Sequence, residues 1–289
     1  MSVQSPYNTI QGAIPPATKP RVVIEPSRRL PGLQIQEIWS YRELYFFLVW
    51  RDIKVRYKQS ALGVLWIILQ PLVTMVVFTV LFNQVLGIGS DSKIPYPIFT
   101  YVALLPWTYF SSTLSRGAIS LVSDRNLISK IYFPRIIVPS SHVLAGLVDF
   151  GIAFTLLLGM MYFYNVTISV RILFLPLALL LAVVTVLGVV LWLSALNVQY
   201  RDIQYVAPFL VQIWMYATPI IYPISRIPEQ WQWLYSLNPM VAVIQSFRWV
   251  LLGDNLVGVN VFSILIAILL FISGIMFFRH TERIFADVV

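Results

Sequence analysis

The sequence predicts an all-α membrane protein with six transmembrane helices, an N-terminal amphipathic interface helix, and re-entrant outer gate helices between the fifth and sixth spans. Three observations predict it. Of the 289 residues, 58% are hydrophobic and 11% are charged, whereas a soluble domain carries about 25% charged residues. Long runs without charge recur along the chain, and Lys and Arg collect at alternate ends of these runs.

The chain divides into three predicted parts. Residues 1–32 contain many prolines and no apolar run, so we expect a disordered tail, which without a contiguous hydrophobic stretch is no secretory signal. In residues 33–60, apolar residues such as Ile35, Ile38 and Trp39 recur at helical spacing among charges. This pattern predicts an amphipathic helix in the inner interface, although a plain topology anchor explains it equally well. Residues 61–289 form the six-span transmembrane domain.

The lengths of the uncharged, apolar runs predict the membrane spans. A helix needs about 20 apolar residues to cross a bilayer core of roughly 30 Å. Runs of this length are residues 64–86, 94–115, 136–170, 172–200, 203–225 and 255–278, the third interrupted only by Asp149. These runs are apolar all round and do not alternate, which disfavours a β-barrel.

The cations set the orientation, because Lys and Arg mark the cytoplasmic side of a membrane protein. An N-terminus on the inside places both termini and most flanking cations in the cytoplasm. The net charge of +8 is then a topology signal, and nucleic-acid binding is the weaker interpretation. The cations assigned to the inside are Arg42, Arg51, Lys54, Arg56, Lys58, Arg125, Lys130, Arg135, Arg201, Arg279 and Arg283.

Residues 227–253 do not fit a simple span. Asn238-Pro239 interrupts their uncharged middle, and a proline there would disrupt a helix at mid-membrane. A seventh crossing would also put Arg279 outside. We therefore expect two short helices that dip into the outer leaflet as an outer gate, in preference to a true span. The candidate gate residues are Trp231, Trp233, Tyr235, Asn238 and Pro239.

Several kinds of chemistry are missing. The chain has no Cys and two His, which nearly excludes thiolate, zinc and redox sites. No Gly is followed by Lys, so the chain lacks a nucleotide-binding P-loop of its own. Nucleophile-elbow and zinc-protease motifs are also absent, and few titratable groups lie within the spans. We predict that the protein is no enzyme and binds no cofactor or metal itself.

A short cytoplasmic helix is predicted between the second and third spans, in the stretch SDRNLISKIYFPR of residues 123–135. Ser123 or Asp124 would cap its start and Pro134 would end it. Apolar side chains on a cytoplasmic loop favour burial against a partner, so a docking helix is preferred to an ordinary loop. Its residues are Asp124, Arg125, Asn126, Leu127, Ile128, Lys130, Ile131, Tyr132 and Phe133.

Aromatic side chains make up 15% of the chain. Several lie within spans, where small residues and Leu are the usual choice. Trp and Tyr rings stack on the flat faces of sugar rings, so they suit a polysaccharide conduit, and core packing is the ordinary alternative. The candidates within the spans include Trp66, Trp107, Tyr109, Phe110, Trp214 and Tyr216.

Two ionisable residues sit inside predicted spans, Arg116 and Asp149. Each must face protein or water, because charge in hydrocarbon is costly. At about 1.5 Å of rise per residue, Arg116 lies roughly 10 Å shallower than Asp149, a difference that a long Arg side chain nearly closes. The pair is interpreted as a structural clamp between two helices, or alternatively as a polar step in a substrate path or a subunit interface.

The order and spacing of these features resemble the permease subunits of bacterial ABC exporters for O-antigen, capsule and teichoic acid. The resemblance begins with RDIKVRYKQSALGVLWIILQP at residues 51–71 and covers roughly residues 40–285. It continues through Leu105-Pro106-Trp107, Leu114-Ser115-Arg116, the loop at 126–139, Asn197-Val198, Tyr200-Arg201-Asp202, Thr218-Pro219-Ile220, Tyr222-Pro223 and Asn238-Pro239.

The resemblance implies a homodimer in the cytoplasmic (inner) membrane with two copies of a cytoplasmic ABC ATPase, which would hold the ATP and Mg²⁺. The loop at 125–133 would be the coupling helix, and Tyr222 and Arg116 would join the aromatic path. A cytoplasmic portal for the pyrophosphate of a lipid-linked glycan is inferred at Arg51, Lys54, Arg56, Tyr57 and Lys58, because Arg and Lys bind phosphate, although anionic lipid would satisfy them as well.

Two alternatives remain. One is an ABC exporter of another cargo, such as a lipid or a drug, because the sequence does not identify the cargo. The other, less favoured, is an integral-membrane glycosyl or acyl transferase, which would need convergent carboxylates or a His in a pocket.

Overall fold

The computed structural model of the chain describes residues 35–58, 63–87, 94–253 and 261–282. Within these ranges the regular structure is entirely helical. The predicted tail at 1–32 lies outside the described residues. The helices are α1 (Ile35–Ser40), α2 (Arg42–Lys58), α3 (Gly63–Phe78), α4 (Tyr96–Ser123), α5 (Arg125–Lys130), α6 (Ile137–Phe163), α7 (Leu175–Gln199), α8 (Ile203–Tyr216), α9 (Glu229–Ser236), α10 (Pro239–Leu252) and α11 (Val261–Glu282).

The charged and apolar side chains of α2 are placed differently from those of a simple amphipathic helix. Phe46, Phe47 and Trp50 of α2 are exposed, while Arg51 and Arg56 turn inward to acids at the junction of α4 with α5 and on α6. The reason is that buried or half-buried charges are stable only when paired, and α2 supplies the cations for acids that the spans carry. The large aromatic rings of α2 remain on its exposed face.

Four helical segments among the described residues are long and apolar enough to cross a membrane: Gly63–Val85, Ile137–Phe163, Val170–Gln199 and Val261–Glu282. In the first, α3 continues as a π-helical stretch, Thr79–Val85, and in the third a short 3₁₀ turn, Val170–Phe174, leads into α7. Helix α4 has 28 residues, or about 42 Å of length, but its hydroxyl side chains and Arg116 make it less apolar than these four.

The predicted fifth span is not one continuous helix. Helix α8 has 14 residues and ends at Tyr216, which gives about 21 Å, short of a bilayer core. Thr218, Pro219 and the residues up to Pro223 form turns. Prolines at 219 and 223 lack the N–H that a helix needs, so an apolar run of sufficient length does not fold as one helix. Two short helices, α9 and α10, then follow as predicted, separated at Asn238.

Helix α4 is the centre of the core and packs against α6, α7, α8 and α10. Helices α7 and α11 approach each other most closely, at two glycines. A Cβ on Gly274 would lie 2.6 Å from the carbonyl oxygen of Gly188, and a Cβ on Gly188 would lie 2.8 Å from the backbone nitrogen of Phe271. Only glycine permits this backbone contact. Trp192 of α7 stacks on Phe277 of α11, with ring centroids 4.1 Å apart.

Long-range contacts gather at the two ends of the bundle. At one end, the backbone N–H of Arg135 donates to Glu282 Oε1 at 2.9 Å, which joins the segment after α5 to the end of α11. At the other end, Arg171 Nη1 donates to the carbonyl of Gly253 at 2.8 Å, and the Tyr96 hydroxyl donates to the carbonyl of Ile221 at 2.6 Å.

Candidate functional site

A polar groove lies between α3, α4 and α6. It encloses about 490 Å³, a size typical of small-ligand sites. Trp66 of α3 forms one wall and is 59% exposed, so its ring face is accessible. Tyr109 and Phe150 line the floor.

Hydroxyl and amide side chains line the same groove. Thr108, Ser111 and Ser112 on α4 stand beside Gln70 on α3. The three hydroxyls donate to carbonyl groups of their own helix, at 3.0, 3.3 and 3.5 Å respectively. Their oxygens keep lone pairs that can accept hydrogen bonds. The groove thus combines an exposed indole with hydrogen-bond acceptors, the combination that suits a polyhydroxylated ligand.

One end of the groove is charged. Arg56, Tyr57 and Arg116 all donate to the carboxylate of Asp149. The bond from Arg116 Nη2 measures 3.3 Å, so the predicted contact between Arg116 and Asp149 is present. Burial and the neighbouring Asp149 carboxylate raise the pKa of Tyr57, which keeps its hydroxyl protonated and able to donate. These contacts connect α2 and α4 to α6.

A second charged cluster lies further along α2. Arg51 Nη2 donates to Asp124 at 2.7 Å and to Asp52 at 3.0 Å. Burial opposes the charge of Arg51, but bonds to and attraction from Asp124 and Asp52 outweigh it, so the pKa of Arg51 is raised. Ser141 donates to Asp52 at 3.3 Å, and His142 Nδ1 lies 3.1 Å from the same carboxylate. Helix α2 is thereby tied to the junction between α4 and α5.

The structure divides the five predicted portal residues into two groups. Arg51, Arg56 and Tyr57 are engaged with acids in the interior, as described above. Lys54 and Lys58 are exposed on α2.

The predicted coupling segment also has two sides. Ile128 and Phe133 are 7% and 4% exposed and pack with Leu48 of α2; Leu127 packs against the same cluster. The outward side consists of Arg125, Asn126, Lys130, Ile131 and Tyr132, of which Tyr132 is 85% exposed. The helix itself ends at Lys130, earlier than the predicted stop at Pro134. Asp124 makes no side-chain cap, because its carboxylate bonds to Arg51.

The aromatic candidates on α4 are mostly packed. Trp107 is 3% exposed and Phe110 is fully buried, with ring centroids 5.4 Å apart. Phe110 also packs edge-on against Trp214 at 5.1 Å. Within this chain, Trp107 and Phe110 therefore belong to the core and do not line an open surface, because the inner face of α4 is covered by α8 and α10. Tyr109 is buried too, but its ring reaches the groove floor.

Asn238 forms a hydrogen-bonded junction between α8 and α10. Its Oδ1 accepts from Trp214 Nε1 at 2.9 Å and from the N–H of Met240 at 3.0 Å. Its Nδ2 donates to Thr218 Oγ1 at 2.9 Å and to the carbonyl of Ala217 at 3.2 Å. One side chain thus caps α10, next to the buried Pro239, and fixes the end of α8.

An aromatic cavity of about 640 Å³ opens beside this junction. Tyr222, Trp231 and Tyr235 line it, and the hydroxyls of Tyr222 and Tyr235 lie 2.8 Å apart. Trp233 and Tyr216 are exposed nearby in the chain, on α9 and α8. The predicted gate residues therefore fall into one aromatic group at the surface and one half-buried junction at Asn238.

Sequence reasoning missed some residues of the site. Asp52 is a shared acceptor for Arg51 on its own helix and Ser141 on α6, and nothing in its local sequence indicates this; Asp124 was predicted as a coupling residue, but its bond to Arg51 of α2 was not. The three hydroxyl-bearing residues at positions 108, 111 and 112 could have been recognised from the sequence. These residues recur at helical spacing on one face of α4, a pattern that marks a polar stripe.

Comparison with known proteins gives consistent matches. Residues 43–252 match the family model of the ABC-2 type transporter. The O-antigen export system permease protein RfbA of Myxococcus xanthus is 34% identical over 217 residues, 74% of this chain and 82% of the relative. RfbA of Klebsiella pneumoniae is 29% identical over 83% of this chain and 92% of its own. The polysialic acid transport protein KpsM of Escherichia coli is 24% identical over 87% and 96%.

Proposed function

Because the chain belongs to the ABC-2 type transporter family, we propose that it is the membrane subunit of an ATP-driven polysaccharide exporter. The observation that carries the proposal is the match over most of their length to permeases named for O-antigen export and for polysialic acid transport. Both cargoes are polysaccharides. The cargo proposed here is a lipid-linked glycan of this kind.

The subunit does no covalent chemistry in this proposal. Two copies of a cytoplasmic ABC ATPase supply the energy and hold the ATP and Mg²⁺. The outward side of the coupling segment, including Arg125, Lys130 and Tyr132, suits a protein partner, because it mixes charge with exposed apolar and aromatic surface. Ile128 and Phe133 anchor the segment to the bundle.

Six spans with both termini in the cytoplasm agree with the contacts at the bundle ends. Arg135 and Glu282 touch, so an even number of crossings separates them. Ile221 and Gly253 both lie at the other end, next to Tyr96 and Arg171, so residues 222–252 return to the side from which they start. This return supports re-entrant gate helices and disfavours a seventh crossing.

A homodimer would complete the path. Helix α8 buries only Ala207 and Val211, and α3 also leaves most of its apolar side chains uncovered. A second copy against these faces would enclose the groove beside Trp66 and the exposed Tyr216. In this arrangement the glycan enters near Lys54 and Lys58 and leaves beside the outer aromatic cavity.

The test reconstitutes the chain in inverted vesicles with its ATPase and measures ATP-dependent uptake of a lipid-linked glycan. We expect Arg125→Glu with Lys130→Glu to abolish both co-purification of the ATPase and uptake. Glu229→Lys is a matched control, because this exposed charge on α9 lies at the predicted outer end, and it should leave association unchanged.

Two results would overturn the proposal. One is nucleotide hydrolysis or glycosidic bond formation by the isolated chain. The other is full uptake and full ATPase association in the double charge-reversal variant. Transport of a drug or a free lipid in place of the glycan would refute the cargo and leave the ABC mechanism intact.

A further inference from the structure

One carboxylate holds three donors from two helices. Asp149 of α6 accepts from Arg56 and Tyr57 of α2 and from Arg116 of α4. The Asp149 side chain is 14% exposed, and the two arginines are 18% and 34% exposed. Among the described residues, Asp149 is the only carboxylate that ion-pairs with Arg56 or Arg116.

The charges along this network are unevenly placed. At the groove end, two guanidinium groups share one carboxylate, which leaves an excess positive charge. At the other end, Arg51 faces both Asp52 and Asp124. In addition, Arg116 Nε is buried and has no hydrogen-bond partner in the described part of the chain. Arg116 Nη2 also donates to Ser112 Oγ at 3.2 Å. The groove end therefore has one ion-paired carboxylate for two guanidinium groups, and among the described residues Arg116 Nε is left without an acceptor.

This cationic end opens into the groove and not into the core. Arg56, Arg116 and Asp149 line the same cavity of about 490 Å³ as Trp66 and Ser112. A guanidinium group binds phosphate oxygens in paired, charge-assisted hydrogen bonds. A diphosphate brings more charge and more acceptor oxygens than the single carboxylate, so it can replace Asp149 as the partner of both arginines.

We propose that Asp149 is an exchangeable counter-ion, which the phosphate groups of a membrane-anchored substrate displace from Arg56 and Arg116. This inference rests on the proposed function, in which the cargo is a lipid-linked glycan. Trp66 and the groove hydroxyls would then meet the first sugar. The site assigns phosphate recognition to the paired arginines at the groove and not to the exposed Lys54 and Lys58.

The exchange has a mechanical consequence. Arg56 and Tyr57 are the residues that tie the end of α2 to Asp149, so their release frees that end from α6. Arg51 still holds α2 to Asp124, which directly precedes the coupling segment. Occupation of the groove is thereby transmitted along α2 to the surface where the ATPase docks.

The experiment measures ligand binding to the complete complex with its ATPase in nanodiscs of neutral lipid. The probes are farnesyl diphosphate, which is membrane-anchored, and inorganic pyrophosphate, which is not. We expect Arg116→Gln to weaken farnesyl diphosphate binding about tenfold, since a charge-assisted bond is lost. Asp149→Asn should tighten it severalfold, because the competing charge is gone. Arg42→Gln removes the same charge from an exposed position of α2 outside the predicted portal and should change binding less than twofold.

The opposite signs for Asp149 and Arg116 make the inference refutable. Equal weakening by Arg116→Gln and Arg42→Gln would reduce the effect to general attraction, and weaker binding in Asp149→Asn would make the aspartate a purely structural clamp. Equal affinity for pyrophosphate would refute the membrane-anchored ligand. If Arg116→Gln does not fold, Arg116→Lys, which keeps the charge but loses the paired geometry, should still weaken binding. If the wild-type complex takes up the glycan but does not bind the probes, this inference is refuted and the proposed function is not affected.

Discussion

Replacing Asn238 tests whether its junction stabilises the arrangement of α8 and α10. Asn238→Ala removes all four hydrogen bonds of the side chain, to Trp214, Ala217, Thr218 and Met240. Interhelical and capping bonds of this kind contribute about 0.6 to 1 kcal/mol each in membrane proteins, so the expected loss is about 3 kcal/mol in the free energy of unfolding. Denaturation in mixed micelles with SDS measures this loss directly.

Asn238→Asp sharpens the same test. The carboxylate keeps the two accepting contacts with Trp214 and Met240 but cannot donate to Ala217. The Thr218 hydroxyl already donates to the carbonyl of Trp214 at 2.7 Å, so it cannot replace the lost bond without breaking another. With two bonds lost and a small gain from a negative charge at the start of α10, the expected cost is roughly 1 to 2 kcal/mol.

The control is Ser246→Ala, which removes only a bond within α10, to the carbonyl of Ala242, and should cost less than about 0.5 kcal/mol. In glycan uptake, both Asn238 variants should lower the ratio of transport to ATP hydrolysis. Equal stability of wild type, Asn238→Ala and Asn238→Asp would refute the junction.

Two further predictions concern packing and the groove. Gly274→Leu should prevent stable folding, because its side chain would enter the backbone of α7 at Gly188, while Gly159→Leu, with nothing within 4 Å of its Cβ, should fold normally in a thermal-unfolding assay. Trp66→Ala should reduce glycan uptake with little change in stability, whereas Trp107→Ala, which empties a core site, should destabilise the protein by about 3 to 5 kcal/mol. If a stably folded Trp66→Ala variant shows unreduced glycan uptake, the Trp66 ring does not line the substrate path.

The features predictable from the sequence are those with a local cause. Proline and asparagine at 238–239 determine where α9 ends and α10 begins, and both helices are present. The meeting of Arg116 with Asp149 followed from their depths in neighbouring spans. Hydropathy also identified the long spans, because burial in lipid requires a continuous apolar surface.

Other features depend on distant partners and left no local trace. Arg56 and Tyr57 reach Asp149 across more than ninety positions, so a sequence window predicts a portal for a pyrophosphate, or contacts with anionic lipid, and misses the carboxylate. An apolar run does not reveal its own turns, and for this reason the sequence predicts one helix at residues 203–225. Nor does an aromatic residue in a span show which way it faces, as the burial of Trp107 and Phe110 demonstrates.

The backbone contact between α7 and α11 has a consequence for how the protein can move. Two helices locked at Gly188 and Gly274 cannot slide without a clash, so with α4 they form a stiff frame. Helices α3 and α8 bury few side chains, and α8 is held at its end by the Asn238 junction. In the proposed exporter we therefore expect α3 and α8 to rearrange during transport, while α4, α7 and α11 keep their relative arrangement.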